Sequence, residues 1–169
     1  MGLKITKDEV KQMLKDYDIS HKFETVRQWY DGYQFGNTEV YNPWSVINYV
    51  DAAVNGTAFS KPYWSNTSSN SIVRELIETA DAGMEKEIEE LISGGTIKKP
   101  VHEEITYENI HTSQDNLWNF LLFTGHLKMT EQTFEDHTIY LTLQIPNEEI
   151  RYIYRNTIRE WFNKRIAGL

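Results

Sequence analysis

The chain has 169 residues, 40% of them hydrophobic and 13% aromatic, which is enough apolar surface for one ordinary domain or two small intimate ones and argues against disorder. A net charge of -8 excludes a polyanion binder by bulk charge, though a local basic face is still open. There is no cysteine, so disulfides, thiolate metal sites and thiol nucleophiles are all excluded, and no stretch approaches the apolar length of a membrane span.

Thr6 followed by Glu9 is a capping-box pattern that opens a first helix with Val10, Met13, Leu14 and Tyr17 on one face. Ser20 is expected to cap a second helix, with Phe23, Val26, Trp29 and Tyr30 at helical spacing. Asp31-Gly32 stops it. Residues 33 to 41 alternate around Gly36-Asn37 and read as a small hairpin. Asn42-Pro43 then places a capping side chain before a Pro at the first helical position. Trp44, Ile47, Val50 and Val54 are expected on the inner face of that helix, and Asn55-Gly56 ends it.

Residues 57 to 66 read as irregular and aromatic. Ser68 or Ser69 is expected to cap a helix burying Ile72, Val73, Leu76 and Ile77. An amphipathic segment from Met84 to Ile92 exposes Glu85, Glu87, Glu89 and Glu90, and Gly94-Gly95 closes it. Residues 96 to 101 fit a short strand. Thr112 or Ser113 is expected to cap a helix that is apolar nearly all round, with Trp118 and Leu121 in the core and Gly125 at its end. Residues 127–134 and 138–145 read as two strands around Glu135-Asp136, with Leu141, Leu143 and Ile145 alternating. Pro146-Asn147 turns into a final helix over 148–165. The expected fold is mainly α with small β-hairpins, a helical region over 1–100 followed by a winged-helix-like unit over 101–169, packed as one compact body.

No constellation for catalysis emerges from these residues. The five His, at 21, 102, 111, 126 and 137, include no i, i+4 pair for a helical metal site, and His102-Glu103-Glu104 reads as an exposed loop rather than a cation site. A Walker A loop is missing; Gly94-Gly95-Thr96-Ile97-Lys98-Lys99 lacks its spacing. No catalytic, cofactor-binding or metal residue is therefore assigned. Arg151, Arg155 and Arg159 recur every four residues on the last helix and form a candidate docking face, with Ile150, Ile153, Tyr154, Ile158 and Trp161 packing inward.

Three segments are distinctive in their order. They are Trp29-Tyr30-Asp31-Gly32-Tyr33-x-Phe35-Gly36 with Val40-Tyr41-Asn42-Pro43-Trp44-Ser45-Val46; Pro62-Tyr63-Trp64-x-Asn66-Thr67-Ser68-Ser69-Asn70; and Leu117-Trp118 through Leu121-Leu122-Phe123-x-Gly125-x-Leu127. Together they resemble the bacterial predicted AAA-ATPase-like family, over nearly the whole chain. The resemblance implies the middle region of such a protein, after a P-loop core and before a restriction-endonuclease-like nuclease domain. The segment is accordingly expected to be part of something longer. Asp31, Gly32, Tyr33, Gly36, Tyr41, Asn42, Pro43, Trp44, Trp64, Asn66, Thr67 and Ser68 carry the family motif, and each also has a local structural explanation as turn, cap or aromatic anchor.

The resemblance implies a non-catalytic accessory or coupling region in a cytoplasmic protein, with neighbouring domains of the parent as partners and no membrane. No cofactor is expected in this segment, and ATP and magnesium only in the parent. The alternatives are a stand-alone protein- or nucleic-acid-binding module and, third, an enzyme with a novel site. Nucleic acid is the lesser of the two binding alternatives.

Overall fold

A computed structural model of the chain describes residues 5–35, 38–56, 60–63, 70–101 and 114–168. The chain divides into two units, Met1–Thr67 with Pro146–Tyr152, and Ser68–Ile145 with Ile153–Leu169. Among the described residues the architecture is mainly α with two small antiparallel sheets. Among the described residues no helix is long and apolar enough to cross a membrane.

The first unit begins with a short strand β1 (Ile5–Thr6) and helix α1 (Lys7–Asp16). Thr6 caps α1 as expected, its hydroxyl accepting from the Glu9 amide at 3.3 Å. Ser20 does not cap a helix. Residues Ser20–Lys22 form a 3-10 turn that leads directly into α2 (Phe23–Tyr30). Strands β2 (Tyr33–Phe35) and β3 (Thr38–Tyr41) form the expected hairpin, whose Gly36-Asn37 turn lies outside the described residues. β1 pairs with β3, giving the order β1-β3-β2.

Helix α3 (Pro43–Val54) starts as expected, with the Asn42 side chain accepting from the Ser45 amide at 3.4 Å. Its buried face shares only Val50 with the expectation. Ser45, Val46, Tyr49 and Val50 are buried, whereas Trp44 is 61% exposed, Ile47 52% and Val54 50%. The core collects Val10, Leu14, Val26, Tyr30, Tyr41 and Tyr49. Tyr30 is its centre, with ring centroids 5.8 Å from Tyr49 and 6.2 Å from Tyr63, and its hydroxyl donates to the Lys61 carbonyl at 3.0 Å.

The second unit contains α4 (Ser71–Thr79), α5 (Ala82–Ile92), β4 (Ile97–Pro100), α6 (Gln114–Phe123), β5 (Lys128–Glu135) and β6 (Thr138–Gln144). It also takes most of α7 (Glu148–Ala167), from Ile153 onward. Helices α4 and α5 thus belong with the second unit. The physical reason is that α4 and α5 bury Ile72, Val73, Leu76, Met84, Ile88 and Leu91, and they pack on α6 and β4, which supply the matching apolar surface.

Ser68, Ser69, Thr112 and Ser113 lie outside the described residues. Asp81, not singled out by its sequence context, caps α5 through a 2.9 Å bond from the Met84 amide. Glu87 is not fully exposed but pairs with Lys99 at 2.5 Å. Leu117, Trp118 and Leu121 of α6 are buried, yet Phe123 points to solvent, so the helix is not covered all round.

Sheet order here is β4-β6-β5, all antiparallel. The β5–β6 turn at Asp136-His137 holds both residues at positive φ, 47° and 64°, the geometry that matches the twist of a two-residue hairpin. β6 buries Leu141 and Leu143, followed by Ile145. β5 is an exposed edge, protected by Lys128, Glu131 and Glu135 and by an irregularity between Met129 and Glu131.

Candidate functional site

The most distinctive motif, Asp31 to Ser45, converges in the first unit on the turn that starts α7. The turn itself is built by Asn147. Its side-chain oxygen accepts from the Ile150 amide at 2.9 Å and so caps α7, while its amide nitrogen donates to the Asp31 carbonyl at 2.6 Å. Asp31 is buried, and its carboxylate accepts from the Gly32 amide at 2.6 Å. Gly32 sits at φ +103°, and a Cβ there would collide with the Pro146 carbonyl oxygen. Both the backbone angle and the close approach therefore require glycine.

Glu149, in the first turn of α7, is fully buried. Its carboxylate accepts from the Ser45 hydroxyl, with oxygen–oxygen distances of 2.9 and 2.6 Å, and from the Asn42 side-chain amide at 3.5 Å. A carboxylate at a helix N-terminus also faces the positive end of the helix dipole. Asn42 thus works at both ends: its oxygen caps α3 and its nitrogen reaches Glu149.

Tyr33 lies close to this cluster. Burial pushes its phenol pKa far up, the Glu149 charge adds to the rise, and the Asn147 amide works against it. The Tyr33 hydroxyl has no partner at regular hydrogen-bond geometry among the described residues. Burial likewise raises Tyr41, with Asp31 and Glu39 adding to it. Pro43 occupies the first turn of α3, and Trp44 donates its indole N–H to the Tyr63 carbonyl at 3.2 Å.

Chemically, this arrangement fastens. Ser45 and Glu149 are both sealed from solvent, so neither reaches a substrate, and the serine hydroxyl is committed to a carboxylate rather than to a base. Asn147 and Glu149 carry much of the geometry. Only the turn at Pro146-Asn147 was legible in the sequence, and nothing local marked either residue as a partner of the motif.

Two single residues of the second and third resemblance segments meet in the second unit, Asn70 and His126. Asn70 ends the second, and His126 falls between Gly125 and Leu127 of the third. The His126 Nε2 lies 2.7 Å from the Asn70 side-chain oxygen, and its Nδ1 lies 2.7 Å from the Thr124 hydroxyl. The Asn70 oxygen can only accept, so Nε2 carries the proton. Burial pushes the imidazole pKa down to about 4. The Tyr154 hydroxyl donates to the His126 carbonyl at 3.3 Å. Gly36, Trp64, Asn66, Thr67 and Ser68, and the His102-Glu103-Glu104 stretch, lie outside the described residues.

The arginine row on α7 is uneven. Arg155 and Arg159 are exposed. Arg151 is half-buried, pairs with Glu148, and has a buried Nε without a hydrogen-bond partner among the described residues. Ile150, Ile153 and Tyr154 are buried as expected, and Ile158 and Trp161 only partly so. Among the described residues no group of three or more His, Asp or Glu side chains is arranged to hold a metal ion. In comparisons with known proteins, no family model, no curated protein and no solved structure matches the chain.

Proposed function

We propose that this chain is a non-catalytic accessory region of a bacterial, cytoplasmic AAA-ATPase-like protein, where it couples a nucleotide-binding core to a downstream domain. The observation that carries the reading is the Ser45–Glu149 bond, together with the Asn147–Asp31 bond beside it. Asp31, Asn42 and Ser45 of the most distinctive motif are taken up in holding two distant stretches of chain together. Such residues suit a part that transmits position, not one that binds substrate.

The second unit is read as winged-helix-like. Its order of helix α5, strand β4, helix α6 and hairpin β5–β6, with β4 paired to the second hairpin strand, supports that reading. Helix α6 precedes the hairpin but carries Asp115 and no Lys or Arg. A helix of that charge is ill suited to a phosphate-lined groove, which favours protein contacts over nucleic acid. ATP and magnesium belong to the parent's core in this account.

The experiment has two parts. Calorimetry of the chain with ATP and magnesium should show no tight binding. The reading frame upstream of this segment should encode a G-x-x-x-x-G-K-[ST] loop. Tight ATP binding by the repurified chain, or a parent gene with no such loop, contradicts the proposal.

A further inference from the structure

From Ile153 onward α7 buries Ile153 and Tyr154 and presents another row to solvent. Arg155, Arg159, Phe162 and Ile166 are separated by four, three and four residues, so they share one side of the helix over about 16 Å. Phe162 is 55% exposed and Ile166 52%, and both arginines are exposed. The row therefore has a cationic end and an apolar end.

Its charge is opposite to that of the whole chain. From Ile153 to Ala167 the helix carries Arg155, Arg159, Lys164 and Arg165 against the single carboxylate of Glu160. Arg74 lies 3.6 Å from Glu160, and Asn156 donates to it at 3.2 Å, so that carboxylate is already engaged. Lys164 and Arg165 suit the negative end of the helix dipole, and Arg165 also stacks 4.8 Å over the Trp161 ring. The dipole effect fades within the last turn and does not account for Arg155 and Arg159.

We infer that this row is a docking surface for an acidic amphipathic protein segment, one that sets carboxylates against Arg155 and Arg159 and apolar side chains against Phe162 and Ile166. Charge complementarity selects the partner: a segment with a few carboxylates meets the local positive field without the repulsion that a long polyanion meets from a chain of net charge -8. Nucleic acid would engage the arginines but offers Ile166 little. A membrane surface requires a broader continuous apolar face than two side chains beside four charges. The inference stands whether or not the chain adjoins an ATPase core.

The test uses the full chain and fluorescence anisotropy with three probes. These are a synthetic helical peptide with Glu and Leu along one face, the same peptide with Lys for Glu, and a single-stranded oligonucleotide of matching length. The acidic peptide should bind and the Lys peptide should not. Arg155→Glu with Arg159→Glu should weaken the acidic peptide by about tenfold or more, and Phe162→Ser with Ile166→Ser should do so separately. The charge-reversed chain should in turn bind the Lys peptide.

Melting curves check that each variant is folded, with Arg155→Gln and Arg159→Gln in place of the reversals if those unfold the chain. The inference is overturned if the acidic peptide fails to bind, if the variants leave its binding unchanged, or if the oligonucleotide is preferred. It is also overturned by self-association that the same variants abolish, which would assign the row to a second copy.

Discussion

The Ser45 hydroxyl donates to the Glu149 carboxylate at 2.6 Å across 104 positions of sequence, with both residues fully buried. A buried carboxylate is costly unless hydrogen-bonded, so the bond fixes which face of α3 turns inward. It also places the start of α7 against the motif between Asp31 and Ser45. The same two stretches are held a second time by Asn147 and the Asp31 carbonyl.

Glycine 32 should tolerate no side chain. Gly32→Ala drives a Cβ into the Pro146 carbonyl oxygen, at φ +103°. Gly56 is the control, because it has positive φ of 75° but nothing within 4 Å of the position a methyl group would take. Gly56→Ala should cost about 1 kcal/mol from backbone strain alone. Gly32→Ala should cost clearly more in a urea titration. Equal losses would mean that the contact with Pro146 does not hold.

His126 should make the fold acid-sensitive. Its folded pKa, about 4, lies below the ordinary value of 6.5. Between those values the unfolded chain binds a proton that the folded chain does not. The contribution is therefore complete above about pH 6.5 and is lost as pH falls toward 4. Its limit is about 3 kcal/mol. Urea midpoints measured across that range, for the chain and for His126→Gln, check the expectation: the variant should lose part of the slope. A slope unchanged by the substitution removes His126 as its source.

Trp118 and Leu121 are fully buried on α6, while Phe123 on the same helix is 67% exposed. Trp118→Ala should cost about 3–5 kcal/mol and Leu121→Ala about 2–5 kcal/mol. Phe123→Ala should move the thermal midpoint little. If Phe123→Ala is as damaging as Leu121→Ala, the buried side of α6 has been misassigned.

Local signals are more legible in the sequence than distant ones, although Ser20 caps no helix and Asp81 caps α5 without a sequence signal that marks it. Thr6 and Asn42 were legible as caps because the groups they bond lie three residues away. The β5–β6 hairpin was legible because Leu141, Leu143 and Ile145 alternate. The buried face of α3 is not legible from apolar spacing because the helix has two overlapping apolar faces. Trp44, Ile47, Val50 and Val54 fit one and Val46, Tyr49 and Val50 the other, and apolar spacing alone does not choose between them.

What decides is Ser45, whose burial depends on Glu149. Glu149 itself reads as an ordinary first-turn acid suited to the helix dipole, and its partners are more than a hundred residues away. The two-residue strand β1 is too short to show any alternation. Asn70 and His126 each stood at the edge of a segment singled out in the sequence, but nothing in the sequence joins them across 56 positions.

The most direct test of the fastening account is a double-mutant cycle on Ser45→Ala and Glu149→Gln, read by urea denaturation of the full chain. Ser45→Ala alone should cost about 1.5–3 kcal/mol, as expected for a hydrogen bond to a charged group. The two changes together should cost less than the sum of the singles, with a coupling of about 1–3 kcal/mol. Simple additivity of the two losses would contradict the claim that this bond fastens the motif to the start of α7.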